Sequence, residues 1–206
     1  MFCSQCGNPV KEGAKFCTHC GNRVNDHNEP VVSTPSKQQV TETISEVLWV
    51  FKADRRLSLF KIISCYIVFY SDKILFAYMT PEFQKAENNK VTAQIKADKK
   101  GFFKGSAAMM KHWGQFHKRY YTMSINEVLS EDPSNMLIAN NKVVSVLFTG
   151  SEIDNSADDD SSVTLGKFNF DLTTGETLKF THSQSGSREI KELLLQLFGN
   201  RLKYKK

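Results

Sequence analysis

Four cysteines in the first twenty residues carry the clearest chemistry of the chain. Cys3 and Cys6 form one CxxC pair and Cys17 and Cys20 a second, with ten residues between the pairs. Each pair turns two thiolates toward one point, so together they supply the four soft ligands of a closed tetrahedral Zn²⁺ site holding one structural ion. A closed site leaves no position for water or substrate, which argues against metal catalysis. A disulfide pair and a redox CxxC are the rival readings, and two matched pairs at this separation favour the metal. Gly7 and Gly21, each following the second cysteine of a pair, suit a knuckle where backbone amides approach the sulfurs. His19, inside the second pair, reads as a solvated knuckle residue.

A second pattern lies at residues 102–120. On a helix turning ~100° per residue, Phe102, Phe103, Met109, Met110, Trp113, Phe116 and Tyr120 share one side. Lys104, Lys111, His112, Lys118 and Arg119 take the other side, which makes the segment a basic amphipathic helix. Gly105 and Gly114 on its flanks each cost up to ~1 kcal/mol of helix stability, so packing must help to hold it. Two readings compete. In one, the aromatic side packs on a core and the cations face water. In the other, the apolar side enters a membrane interface or partner groove while Lys104, Lys111, Lys118 and Arg119 meet an anionic partner such as lipid phosphates. Nucleic acid would need the same cations.

No fingerprint of an enzyme is found. A phosphate-cradling glycine loop, a nucleophile elbow and an HExxH pair are all missing from the sequence. His112 and His117 point apart on the same helix and are not expected to share a metal. The acids Glu152, Asp154, Asp158, Asp159 and Asp160 fall in a Ser/Asn/Gly-rich stretch, which reads as a solvated loop without the enforced geometry of acid/base chemistry. The expectation is a binding or adaptor protein without catalytic activity.

The elements that must carry these residues follow from patterning. With 206 residues, 40% of them hydrophobic, the chain can hold a small metal module and one ordinary core. Residues 1–24 form the metal module, polar residues 25–43 with Pro30 and Pro35 a flexible tether, and residues 44–206 the second domain. Strands are expected at 47–51, 57–63, 66–70, 74–78, 136–139, 143–148, 163–172 and 177–181, from their β-branched and aromatic content. The last two meet through the turn Thr173-Thr174-Gly175-Glu176. An insertion at about 81–133 carries the basic helix and then a short helix announced by the capping box Ser124-Ile125-Asn126-Glu127. Residues 188–202, with Ile190, Leu193, Leu194, Leu197 and Phe198 at helical spacing, form a closing amphipathic helix capped by Ser185 or Ser187. Cys65, in the apolar run 62–70, reads as an inert buried residue. That nine-residue run is far short of the ~20 needed to span a bilayer as a helix. No cleaved export signal is expected, and thiolate ligands imply a reducing, cytoplasmic setting.

Two resemblances extend this reading. The runs Phe2-Cys3-Ser4-Gln5-Cys6-Gly7 and Phe16-Cys17-Thr18-His19-Cys20-Gly21-Asn22 resemble the short zinc ribbons at the N-terminus of many bacterial and archaeal proteins, which implies an accessory zinc module. The segment Tyr66-Ile67-Val68-Phe69-Tyr70-Ser71-Asp72-Lys73-Ile74-Leu75-Phe76 resembles the early hairpin of bacterial PH-like and GRAM-like domains. That likeness implies a mainly-β barrel of short strands plugged by the C-terminal helix, with a protein or a lipid headgroup as its partner. The expected function is therefore that of a zinc-binding adaptor. Its partner is a protein or an anionic membrane surface, and the alternative is a nucleic-acid accessory factor.

Overall fold

The computed structural model describes Pro9 and residues 46–58, 61–154 and 162–205. Cys3, Cys6, Cys17, Cys20 and His19, the tether at 25–43, and Asp158, Asp159 and Asp160 lie outside the described residues. By contact the chain divides into two units, Met1–Thr41 and Glu42–Lys206, and the account below concerns the second.

Its frame is a mixed sheet of eight strands. β1 (Trp49–Arg56), β2 (Ile62–Phe69), β3 (Lys73–Met79) and β4 (Met136–Ala139) run antiparallel in sequence order. β5 (Val143–Thr149) pairs antiparallel with β8 (Gly166–Leu172), which pairs with β9 (Thr177–His182), after a separate small hairpin of β6 (Glu152–Asp154) and β7 (Ser162–Thr164). β9 pairs with β1, and β10 (Leu202–Lys205) adds to β5 in parallel, so the order is β10-β5-β8-β9-β1-β2-β3-β4. Where a barrel was expected, the ladder is open, with β10 and β4 as its edges among the described residues.

Several turns follow their residue chemistry. At Ser71-Asp72-Lys73 the Tyr70 N–H donates to the Lys73 carbonyl at 2.9 Å, closing the β2–β3 hairpin. Gly175 supplies the positive φ, 87°, that the β8–β9 turn needs and that a side chain would resist. Residues 57–63 and 66–70 are not two strands. Leu57 N–H bonds the Lys61 carbonyl at 2.8 Å, and residues 62–69 form one strand, β2, which meets the eight residues of β1 in full register.

β2 and β3 are the most deeply buried strands of this unit, because both of their faces are covered. Cys65, Ile67, Phe69, Ile74, Phe76 and Tyr78 belong to a core with Phe51, Phe148, Phe168, Phe170 and Phe180. Their alternating neighbours Tyr66, Val68, Tyr70, Leu75, Ala77 and Met79 belong to a second core with Phe116, Tyr120 and Val128. Burial on both faces is the physical meaning of the unbroken apolar run at 62–70, since a strand with one wet face would alternate. The first core is an aromatic box: Phe168 lies 4.6 Å from Phe170 and 5.2 Å from both Phe51 and Phe148, ring centre to ring centre. Cys65 is fully buried and unpaired within it.

Among the described residues there are four α-helices: α1 (Pro81–Ala97), α2 (Phe102–Gln115), α3 (Ile125–Glu131) and α4 (Arg188–Phe198). α4 starts where the Ser187 hydroxyl accepts from the Ile190 N–H, and it buries Ile190, Leu194, Leu197 and Phe198. It does not reach residue 202. Gly199 turns the chain out of the helix with φ 54°, and Leu202–Lys205 join the sheet as β10. Arg201 holds this corner: its guanidinium donates to the carbonyls of Asn140 and Val143, each at 2.6 Å, and to those of Leu197 and Phe198. A cation over the last carbonyls of a helix also complements the helix dipole.

Candidate functional site

The insertion between β3 and β4 holds every candidate residue that the structure describes. α1 begins at Thr80, whose hydroxyl accepts from the Phe83 N–H at 3.1 Å and donates to the Asp132 carboxylate, tying both ends of the insertion together. Pro81 at the first helical position and Glu82 in the first turn complete a standard start. Sequence reasoning passed over α1, because its apolar periodicity is weak. Thr80-Pro81-Glu82 was the signal that could have found it. At the other end, the Asn135 side chain accepts from the Tyr78 N–H and donates to the Val128 carbonyl, each at 2.7 Å, fixing α3 to β3. The capping box of α3 forms as its residues require, with the Ser124 hydroxyl on the Glu127 N–H and the Glu127 carboxylate on the Ser124 N–H.

α1 and α2 make an antiparallel hairpin. A Cβ added at Gly105 would stand 3.1 Å from a methyl of Ile95, so the glycine that costs helix stability lets the two helices approach. Trp113 Nε1 donates to Asn88 Oδ1 at 3.0 Å, and His112 Nε2 lies 3.4 Å from Glu87 Oε1. The inward side of α2 is Gly105, Ala108, Met109, His112 and Trp113, all half-buried. This is a rotation from the expected apolar face, and it leaves Phe102, Phe103 and Met110 at 83%, 85% and 76% exposure.

Beyond Gln115 the chain tightens into a 3-10 turn, Phe116–Tyr121. Here the aromatic residues do pack on the sheet: Phe116 and Tyr120 are buried, with Tyr120 5.3 Å from Tyr66 ring to ring. The two readings of the helix thus each describe part of it, with the 3-10 turn packed and the outer side of α2 uncovered.

The four candidate cations separate in the same way. Lys104, Lys111 and Lys118 are exposed and form no ion pair among the described residues. Arg119 faces inward and is only partly exposed. It pairs with Glu131, lies 4.6 Å over the Phe116 ring and directs Nε toward Met123 Sδ at 3.0 Å. Burial raises the Glu131 carboxyl above its ordinary pKa, while Arg119 pulls it back. On a continuous helix Arg119 projects away from the aromatic side; the tighter 3-10 turn redirects it onto Phe116.

A cleft of about 540 Å³ opens between α1, α2 and the 3-10 turn, lined by Glu87, Lys90, Lys111, His112, Phe116 and Arg119 among others. Glu87 is buried, with Oε2 3.3 Å from Lys90 Nζ. Among the described residues no three His, Cys, Asp or Glu side chains cluster as metal ligands, and no helix is long and apolar enough to cross a membrane.

Residues 2–24 match the zinc-ribbon domain family, a span that includes Cys3, Cys6, Cys17 and Cys20. That family implies zinc binding by this end of the chain. No curated protein and no solved structure gives a significant match.

Proposed function

We propose that this chain is a zinc-binding interaction protein of the cytoplasm, whose β domain docks through the outer side of α2 on an anionic membrane surface. Cys3, Cys6, Cys17 and Cys20 hold one structural zinc ion, and the chain performs no catalysis of its own. The β domain is of PH-like type. Support comes from its two antiparallel runs, β1 to β4 and β5-β8-β9, which meet where β9 pairs with β1, and from α4 packed on their common core.

One observation carries the docking reading. Phe102, Phe103 and Met110 stand in water beside Lys104 and Lys111, on a helix whose other side is already satisfied. Exposed large apolar groups rimmed by lysine suit the boundary between headgroups and acyl chains. Burying three such side chains is worth roughly 5 kcal/mol. Three lysines at an anionic surface add about 1 kcal/mol each. The sum sets an upper limit near micromolar affinity before the costs of association.

Co-sedimentation with anionic and neutral vesicles, beside a DNA competitor, tests this. Binding should need anionic lipid, survive the competitor and fall sharply in Phe102→Ser/Phe103→Ser. It should weaken in Lys104→Gln/Lys118→Gln and fade at high salt. Absence of binding to anionic vesicles would sink the membrane reading in favour of a protein partner, and capture by DNA would favour the nucleic-acid alternative.

A further inference from the structure

We propose that the cleft between α1, α2 and the 3-10 turn binds a phosphate-bearing small molecule. Its volume, about 540 Å³, lies within the ~300–1,000 Å³ of typical small-ligand sites and far exceeds a bare ion. Ala108 and Phe116 line the cleft beside the cations, an apolar wall that suits the organic body of such a ligand.

The sign of the ligand follows from the lining. Lys90 enters from α1, Lys111 from α2 and Arg119 from the 3-10 turn, against a single carboxylate, Glu87. That carboxylate already accepts from Lys90 Nζ at 3.3 Å, while the buried His112 Nε2, 3.4 Å from its other oxygen, makes no hydrogen bond among the described residues. Arg119 spends Nη2 on Glu131 and Nε on Met123, and its Nη1 makes no hydrogen bond among the described residues. Lys111 has no ion-pair partner among them either. The cleft thus retains positive charge and free donors on two sides, and a dianion placed between them gains charge-assisted hydrogen bonds from each. Phosphate suits this better than carboxylate, because its three terminal oxygens can meet donors converging from separate elements, whereas a carboxylate offers two in one plane.

The site is separate from the docking surface. Phe103 and Met110 point outward from α2, while the cleft lies on the side facing α1, with Lys111 the one cation common to both. The shared chemistry, a phosphomonoester, could arrive as a free metabolite or as a lipid headgroup.

The test is calorimetric titration of the full-length, zinc-loaded protein with glycerol phosphate at fixed ionic strength, sulfate serving as the control anion, beside sedimentation with phosphatidic acid vesicles. Saturable one-to-one binding of glycerol phosphate, weakened about tenfold or more in Lys90→Gln/Lys111→Gln and unchanged in Phe102→Ser/Phe103→Ser, is expected for a soluble ligand. Binding confined to the vesicles, and lost in Lys90→Gln alone, identifies the headgroup as the source. Equal unfolding midpoints for wild type and variant show that the lysines act on the ligand and not on the fold. No saturable binding in either arm overturns the proposal, as does binding indifferent to Lys90 and Lys111 or equal for sulfate. Vesicle binding that needs Phe102 and Phe103 but ignores Lys90 overturns the cleft alone and leaves the docking reading standing.

Discussion

Replacing Arg119 by glutamine separates a cation that holds the fold from cations that face solvent. The side chains of Arg119 and Glu131 are 25% and 17% exposed, so the pair is partly screened. Breaking a fully buried pair costs about 3–5 kcal/mol, and this degree of exposure reduces that to about 2. Losing the guanidinium over Phe116, 4.6 Å from the ring centre, adds roughly 0.5–1 kcal/mol. Arg119→Gln should therefore destabilise the domain by about 2–3 kcal/mol, which at ~2 kcal/mol per molar urea lowers the unfolding midpoint by about 1 M. Trp49 and Trp113, the two tryptophans of the chain, report the transition by fluorescence without interference from the cysteine module.

The pH dependence has a definite sign. Glu131 has a folded-state pKa above its ordinary 4.5, with burial the largest cause and Arg119 opposing it. A carboxyl with a raised folded pKa binds more protons when folded. Its stabilising contribution is complete below about pH 4.5 and is lost as pH rises through the raised value. Without Arg119 the folded pKa climbs further, so the deficit of the variant should be large at pH 7 and shrink toward pH 4. Lys104→Gln/Lys111→Gln/Lys118→Gln should stay within about 0.5 kcal/mol of wild type, as expected for surface positions. An Arg119→Gln variant as stable as wild type at pH 7, or one whose deficit ignores pH, would refute the reasoning.

Other outcomes follow from the same geometry. Cys3→Ser/Cys17→Ser should abolish stoichiometric zinc, measured by elemental analysis of the purified protein, while leaving the tryptophan-monitored unfolding of the β domain in place. Gly166→Ala should cost about 2–3 kcal/mol, because the new Cβ would lie 2.4 Å from the Thr149 carbonyl oxygen and 2.4 Å from His182 Cε1. A drop in melting temperature of roughly 5–10 °C checks it. Burial raises the pKa of the Cys65 thiol well above its ordinary range. Iodoacetamide should therefore leave the Cys65 peptide unmodified in native protein and alkylate it after unfolding, as read by mass spectrometry.

Local interactions made much of the β domain legible. β4 was expected at 136–139 and is found there, because its strand pattern is bounded by turn residues on both sides. The α3 cap and the Ser187 cap each need only residues three positions apart. The inert character assigned to Cys65 followed from its apolar neighbours, and the run around it now lies between two cores. What escaped notice depends on distant partners. Leu202–Lys205 have the length of a helix end and become a strand only because the edge of β5 is free to accept them. Arg201 carries no sequence signal at all, since its four carbonyls are assembled from the end of α4, the turn after β4 and the start of β5.

The basic helix shows the division most clearly. Its amphipathic character was written in residues 102–120, as was the four-thiolate spacing that points to zinc, because periodicity and ligand spacing are properties of a chain by itself. Which apolar residues turn inward was not. α1 takes Gly105 and Trp113, the 3-10 turn delivers Phe116 and Tyr120 to Tyr66, and the rotation this demands leaves Phe102, Phe103 and Met110 in water. Glu131, twelve residues away on another helix, draws Arg119 from the cationic face into the fold. A sequence specifies how many apolar and charged groups a helix offers. Only the neighbours brought by tertiary packing decide which of them are consumed by the fold and which remain for a partner.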